Sequence, residues 1–493
     1  MKRFLLVLYV LILCVLSLNW NCAVAEERRD EAHRYDEVGP VSEGFTWATT
    51  WDGEEDKDIF DEGMAYIIDV YGNRLTDETY TVYNRYFSNG LVTVYMDDKA
   101  GCIDTEGNVV IPFEFYEIES FNSAGYAMAA LGETWDTALW GIIDRQGQWV
   151  IPCEWDSVSI RIPSEGSDRL VLVWKDGKAG ILNMAGETVL PCEYSMMQGD
   201  HFYEGRLHIK REGEGYGYVN ALGEIVSPCQ WTYAGDFSEG LARVLDGEKS
   251  GYIDRDGNLV IGLPADWHAR DDFHDGLALV QNEQGLYGYI DQTGALAIPF
   301  QWEKAAAFSE GVAQVWLDGK CGFIDRTGAY ISPCQWVNAE KFLGGHAIVQ
   351  DENSLMGIID REGRLTVPCV YASLQYLNCH DDSQNPTYEM KDRIQGVDLY
   401  GLIRADGAIV SPCQWSLISG VVKDGIVQVY LGYVSASTYD EWDGQEPTCG
   451  FMDLNGNLVV PCEYYHGYYN DGYFTLIKDG YLTILDRAGN LVF

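Results

Sequence analysis

The amino-acid sequence predicts an all-β protein built from about twelve tandem copies of one small unit, and three observations carry that expectation. A ten-residue pattern returns along most of the chain, each copy places turn residues at fixed offsets between short apolar runs, and beyond residue 25 no 11-residue stretch has convincing helical periodicity. Composition agrees: 47% hydrophobic residues, with 32 Tyr, 17 Phe and 15 Trp, describe a chain that buries a large core and exclude intrinsic disorder.

In chain order, residues 1–25 read as a secretory signal. Lys2 and Arg3 supply a basic start, Phe4 to Leu18 an apolar run, and Ala23-Val24-Ala25 a small-residue cleavage site. The apolar run is shorter than the roughly 20 residues a membrane helix needs, and no later run approaches that length, so no transmembrane span is expected after signal removal. Residues 26–40 are polar and charge-dense and read as an acidic, flexible lead-in. Residues 41–493 hold the repeat array.

The hairpin of each unit is the clearest element. Gly251-Tyr252-Ile253-Asp254-Arg255-Asp256-Gly257 is matched by Gly322-Phe323-Ile324-Asp325-Arg326-Thr327-Gly328 and by Gly450-Phe451-Met452-Asp453-Leu454-Asn455-Gly456. The leading glycine falls at 101, 141, 180, 217, 251, 288, 322, 357, 401 and 450, and weaker copies surround Asp69 and Asp486. In Asp-x-x-Gly the Asp opens a type I turn and Gly takes the positive-φ position after it, so the flanking apolar runs become antiparallel strands. A proline then marks the second strand, as at Pro228, Pro333 and Pro412, and an aromatic follows three residues later, as at Trp231, Trp336 and Trp415. Upstream lies another strand with its own entry turn, seen in Phe237-Ser238-Glu239-Gly240-Leu241 and Phe308-Ser309-Glu310-Gly311-Val312. Each unit is therefore a β-meander of three to four strands. Twelve exceed the roughly four to eight blades of a single propeller, which leaves propeller-like rings or an open β-solenoid.

Taken together, Phe-Ser-Glu-Gly-Leu-Ala, Gly-Tyr-Ile-Asp-x-x-Gly and Val-Ile-Pro-x-x-Trp resemble the WG repeat of bacterial proteins over nearly all of residues 41–493. The Trp-Gly pair itself survives only as Trp140-Gly141; Ala100, Ala179, Tyr216, Ser250, Tyr287, Cys321, Met356, Tyr400 and Cys449 hold that place elsewhere. The resemblance implies a repeat-type binding or scaffold protein, and it carries over no catalytic residue.

Of thirteen cysteines, Cys14 and Cys22 fall in the leader, and the remaining eleven cannot all pair within the chain. Seven follow the repeat proline: Cys153, Cys192, Cys229, Cys334, Cys369, Cys413 and Cys462. A recurring address of this kind suits a small buried apolar residue. Two units carry a second cysteine, and Cys321 with Cys334 and Cys449 with Cys462 bracket the same turn. Facing strands in an oxidising compartment would make these two pairs candidate cross-strand disulfides.

The formal net charge of -43 repels phosphate backbones and anionic lipid, so nucleic acid is excluded as a partner class. The eight histidines are scattered, and no metal, phosphate-loop or nucleophile-elbow motif is present, so no cofactor, metal ligand or catalytic residue is assigned. Tyr464, Tyr465, Tyr468 and Tyr469 form a dense patch suited to stacking on a sugar ring or anchoring a peptide. The expected function is an exported or envelope-located, non-catalytic surface for a protein or glycan ligand. The competing class is a glycan-active hydrolase on a propeller-like scaffold, whose paired carboxylates would be hidden among 76 acidic residues.

Overall fold

The computed structural model describes residues 35, 37–49, 64–82, 86–161, 170–195, 202–247, 249–379, 386–394, 397–419, 421–432 and 447–493. The expected signal, the acidic run 54–62 and most of the two insertions near 380 and 440 lie outside them. Among the described residues every regular element is a β-strand, and no helix is long and apolar enough to cross a membrane. The chain forms two compact units: residues 114–415, and residues 1–113 with 416–493.

Residues 114–415 hold eight repeats, each an antiparallel meander whose strands pair in chain order, except that the short strand Asn378–Cys379 is left out of the last one. In residues 304–336 the strands are Lys304–Ala305, Val312–Leu317, Lys320–Asp325 and Tyr330–Trp336. The Asp-x-x-Gly turn folds as its residues require. Gly328 has φ 84°, its N–H donates to the Asp325 carbonyl at 2.9 Å, and the Asp325 carboxylate accepts the N–H groups of Thr327 and Ala329. The Thr327 hydroxyl, the largest influence, holds the Asp325 carboxyl below its ordinary range against the opposing effect of burial. A second turn, at Asp318-Gly319, puts both central residues at positive φ, the two-residue geometry that matches strand twist.

The repeat glycine is required for space. At all ten positions its backbone is unstrained, yet an added Cβ would lie 2.4 to 2.8 Å from the carbonyl oxygen of the residue two before the post-proline cysteine address or its equivalent on the next strand, as from Ile261 at Gly251 and Ile111 at Gly101. The cause is a bulge. Cys321 pairs with Trp336 and Phe323 with Ser332, so the three residues Pro333 to Gln335 face the single Gly322 and arch over it. Proline sits in this irregular edge segment, where its missing N–H breaks no ladder and discourages pairing with another chain. The motif aromatic thereby lands opposite the residue that precedes the glycine, as Trp155 does opposite Trp140.

The apolar core lies between repeats. Leu277, Tyr289, Ile298 and Trp302 of one repeat pack with Phe308, Ala313, Val315 and Ile324 of the following one. On the other face Cys321 and Phe323 pack with Phe342, Ala347, Val349 and Ile359 of the repeat after. A carboxylate latch reinforces this packing. Glu310 occupies a positive φ of 55° in the Phe-Ser-Glu-Gly turn, and its carboxylate accepts the N–H groups of Gly344 and Gly345 at 2.8 Å. The same bond runs from Gly240 to Glu204, Gly276 to Glu239 and Gly311 to Asp275. A left-handed Glu costs about 1–2 kcal/mol, which the turn-to-turn bonds offset.

In the other unit, strands Glu37–Val38 through Val109–Phe115 form a seven-stranded sheet, and residues 417–464 and 466–486 form two further repeats. Glu43 latches Asn89 and Gly90, and Asp471 of the last repeat latches the Glu43 N–H of the first. Tyr35, Val38 and Val41 pack with Ile477, Leu482 and Ile484, so the carboxyl end of the expected flexible lead-in is part of the core. The outer edge of strand Tyr481–Asp486 is covered by the chain's own tail, where Ile484 donates to Phe493 and Val492 donates back.

Gly322→Ala places a methyl 2.7 Å from the Ser332 carbonyl oxygen, whereas the Gly262 site has open space. In urea melts G322A is expected to lose about 1–3 kcal/mol and G262A to be neutral or better by up to about 1 kcal/mol. Burial opposes but does not overcome the Gly345 N–H, Arg361 and Gly344 N–H, which hold the Glu310 carboxyl below its ordinary range. A depressed carboxyl stabilises the fold above its unfolded pKa and loses that contribution as pH falls through its folded value. Glu310→Gln is therefore expected to lower the urea midpoint at neutral pH, with the gap to the parent protein closing as pH falls below about 4.3.

Candidate interaction surface

The four tyrosines singled out by sequence are divided by the strand they occupy. Along His466–Asn470 side chains alternate between faces, and Tyr469 turns inward to meet the Phe474 ring at 4.8 Å. Tyr464 packs against the same cluster and pairs with Cys449. Tyr465 and Tyr468 are 38% and 45% exposed. Partial burial, then Glu37 and Tyr86, push the Tyr468 phenol up, which brings two residues distant in sequence into its surroundings. Tyr86 is itself 41% exposed. Sequence reasoning missed Glu37 and Tyr86 because nothing in their local pattern points to the last repeat.

Among the described residues Cys321, Cys334, Cys449, Cys462 and six other cysteines are free thiols. The bulge explains why the expected pairs do not meet: Trp336 takes the place opposite Cys321, and Tyr464 that opposite Cys449. Cys321 joins the core toward the following repeat, while Cys334 packs toward the preceding one, and its thiol donates to the Val315 carbonyl. The Cys462 thiol likewise donates to the Val429 carbonyl. Burial, with Cys334 adding, pushes the Cys321 thiol up to about 12; burial, with Cys449 adding, pushes Cys462 to about 11. The seven post-proline cysteines are partly buried, so the expected buried address is corrected to a partly buried position within the bulge of the edge strand.

One buried polar cluster joins residues 233–262 and 267–302. Asp272 is pushed up to about 6, first by burial; Asp271 and Asp236 add to the rise, and Arg243 and His274 oppose it. Arg243 Nε lies 3.9 Å from Asp272 Oδ1, too far for a hydrogen bond, and both atoms are buried without a partner. The Arg243 guanidinium instead donates to the Tyr233 hydroxyl and stacks over its ring. No sequence motif marks this cluster; it exists because consecutive repeats place Asp236 and Asp272 at the same point of the meander.

A family model described as WG containing repeat matches residues 101–135, 140–178, 216–249, 287–321, 322–354 and 450–481. No curated protein matches the chain. Among solved structures it is similar to BamB from Moraxella catarrhalis, at 11% identity over 56% of this chain and 90% of that one, with a TM-score of 0.27. It is also similar to apo AztD from Citrobacter koseri, at 13% identity over 54% of this chain and 84% of that one, with a TM-score of 0.20. Scores this low bear on neither function nor the arrangement of repeats.

Unfolded without reductant and treated with iodoacetamide, the protein is expected to take up label at Cys321, Cys334, Cys449 and Cys462. Unlabelled pairs with a mass lower by two hydrogens each would show disulfides instead.

Proposed function

Because this chain is a WG-repeat protein, with core and latches joining one repeat to the next, we propose that it is an exported, non-catalytic scaffold. It presents a preformed acidic surface to a protein or glycan partner at the cell envelope or outside the cell. The observation that carries the reading is the exposure of Tyr468 at 45%, with Glu37 and Tyr86 in its surroundings, and of Tyr465 nearby in the chain at 38%. Rigid aromatics held by a β scaffold bind with little loss of side-chain freedom. The net charge of -43 favours a partner with a basic face and predicts an association rate that falls with salt.

A second reading, a glycan-active hydrolase, attaches to Asp272, since a carboxyl titrating near 6 suits a general acid. The two readings separate on one set of measurements. Arrayed proteins and glycans are expected to yield a ligand whose affinity falls about tenfold or more in the Tyr465→Ala/Tyr468→Ala double variant, and chromogenic glycosides are expected to stay intact. Turnover abolished by Asp272→Asn would replace the scaffold reading with the enzymatic one.

A further inference from the structure

The turn between strands Tyr126–Leu131 and Leu139–Asp144 departs from the pattern of the other repeats. Where two residues suffice for the same connection, as at Asp97-Asp98, Asp176-Gly177, Asp318-Gly319 and Asp479-Gly480, a lysine flanks the turn: Lys99, Lys178, Lys320 or Lys478. Residues 132–138 stand in that place here, with Trp135 at their centre and no lysine or arginine from Leu131 to Leu139. The longer turn is ordered by its own threonines. The Thr134 carbonyl accepts the N–H groups of Thr137 and Ala138 at 3.1 and 2.9 Å, and the two threonine hydroxyls lie 2.8 Å apart. Trp135 is held outward at 66% exposure, its ring in edge contact with Trp140 at 5.5 Å. Such a contact covers at most one face of the ring, so the other face stays in water.

Elsewhere the chain covers comparable rings with its own cations. Lys175 lies 5.3 Å over Trp155, Lys304 4.5 Å over Trp316 and Lys210 4.8 Å over Tyr216. Carboxylates at the same hairpin are paired as well, Glu352 with Lys320 and Asp398 with Lys391. Trp135 has neither provision. Among the described residues no cation lies over its ring, and the carboxylates of Glu133 and Asp136, both exposed and within two residues of it, have no ion pair or hydrogen bond. An indole face beside two unpaired carboxylates attracts a cation through the ring quadrupole and through charge. The net charge of -43 adds to that attraction at long range. A neutral sugar uses the ring but gains nothing from the charge.

We propose that residues 132–138 dock a basic segment of a partner protein, with an arginine side chain stacked on the open face of Trp135 and paired with Glu133 and Asp136. Arginine suits the site better than lysine, because a planar guanidinium stacks on an indole while its N–H groups remain available to carboxylates. The turn is already ordered, so binding immobilises little of this chain. The site uses neither Tyr465 nor Tyr468 and does not rest on the reading given to them.

The full chain labelled with fluorotryptophan reports on each Trp by fluorine NMR, and Trp135→Phe identifies the Trp135 signal. The probes are a short peptide of alternating glycine and arginine, its citrulline counterpart, which keeps the shape and loses the charge, and cellohexaose as a neutral sugar. The arginine peptide is expected to shift the Trp135 signal saturably and to bind there at least about tenfold more tightly than the citrulline peptide. Glu133→Gln/Asp136→Asn, an exposed change whose fold circular dichroism checks, is expected to cut that preference at least about threefold. Tyr465→Ala/Tyr468→Ala is expected to leave it unchanged. No shift at Trp135, an equal response to the citrulline peptide, a tighter response to cellohexaose, an undiminished preference in the carboxylate variant, or its loss in the tyrosine variant overturns the proposal.

Discussion

Among the described residues, nearly every repeat has an inner strand buried on both faces, and that constraint governs the rest of the structure. Strand Lys320–Asp325 buries Cys321, Gly322, Phe323 and Ile324 in succession, where a strand with one wet face would alternate. Ile324 turns to the preceding repeat, and Cys321 and Phe323 to the following one. A four-stranded meander cannot cover two such faces by itself, so each repeat completes its core only with neighbours. The last repeat meets the same need with the first, through Tyr35, Val38 and Val41.

Two local devices let sheets stack closely enough for this to work. The bulge over the repeat glycine delivers the motif aromatic to its position opposite the residue before the glycine, and only hydrogen fits beneath it. In three repeats the aromatic is a Trp whose indole N–H donates to a serine four residues earlier, Ser227, Ser332 or Ser411, which accounts for the burial of those serines. Residues 149–155 have Ile151 at that place, and the Trp155 indole N–H is buried without a partner. The second device is the latch, in which a glutamate or aspartate accepts a strained turn conformation and is held by the next repeat's backbone.

Much of the fold was legible because turn chemistry is local. Asp-x-x-Gly dictates its own hairpin, and iteration supplied the number and spacing of strands. What escaped the sequence depends on partners a full repeat away. Glu310 read as a turn residue, and nothing nearby reveals that its carboxylate serves Gly344 and Gly345. The cysteine pairs were misread because counting thirteen residues around a hairpin assumes a regular ladder, and the bulge moves Cys334 to the opposite face from Cys321. The tyrosine patch was legible in part: two-residue alternation sends Tyr469 inward and Tyr468 outward, while the proximity of Glu37 and Tyr86 comes from the docking of the first repeats on the last.

The central claim is that stability resides between repeats. The direct measurement is circular dichroism and urea unfolding of a segment holding residues 304–336 alone, compared with the full chain. The account predicts an unfolded spectrum and no cooperative transition for the single repeat, against a sharp transition for the whole. A cooperative melt from the isolated repeat would contradict it.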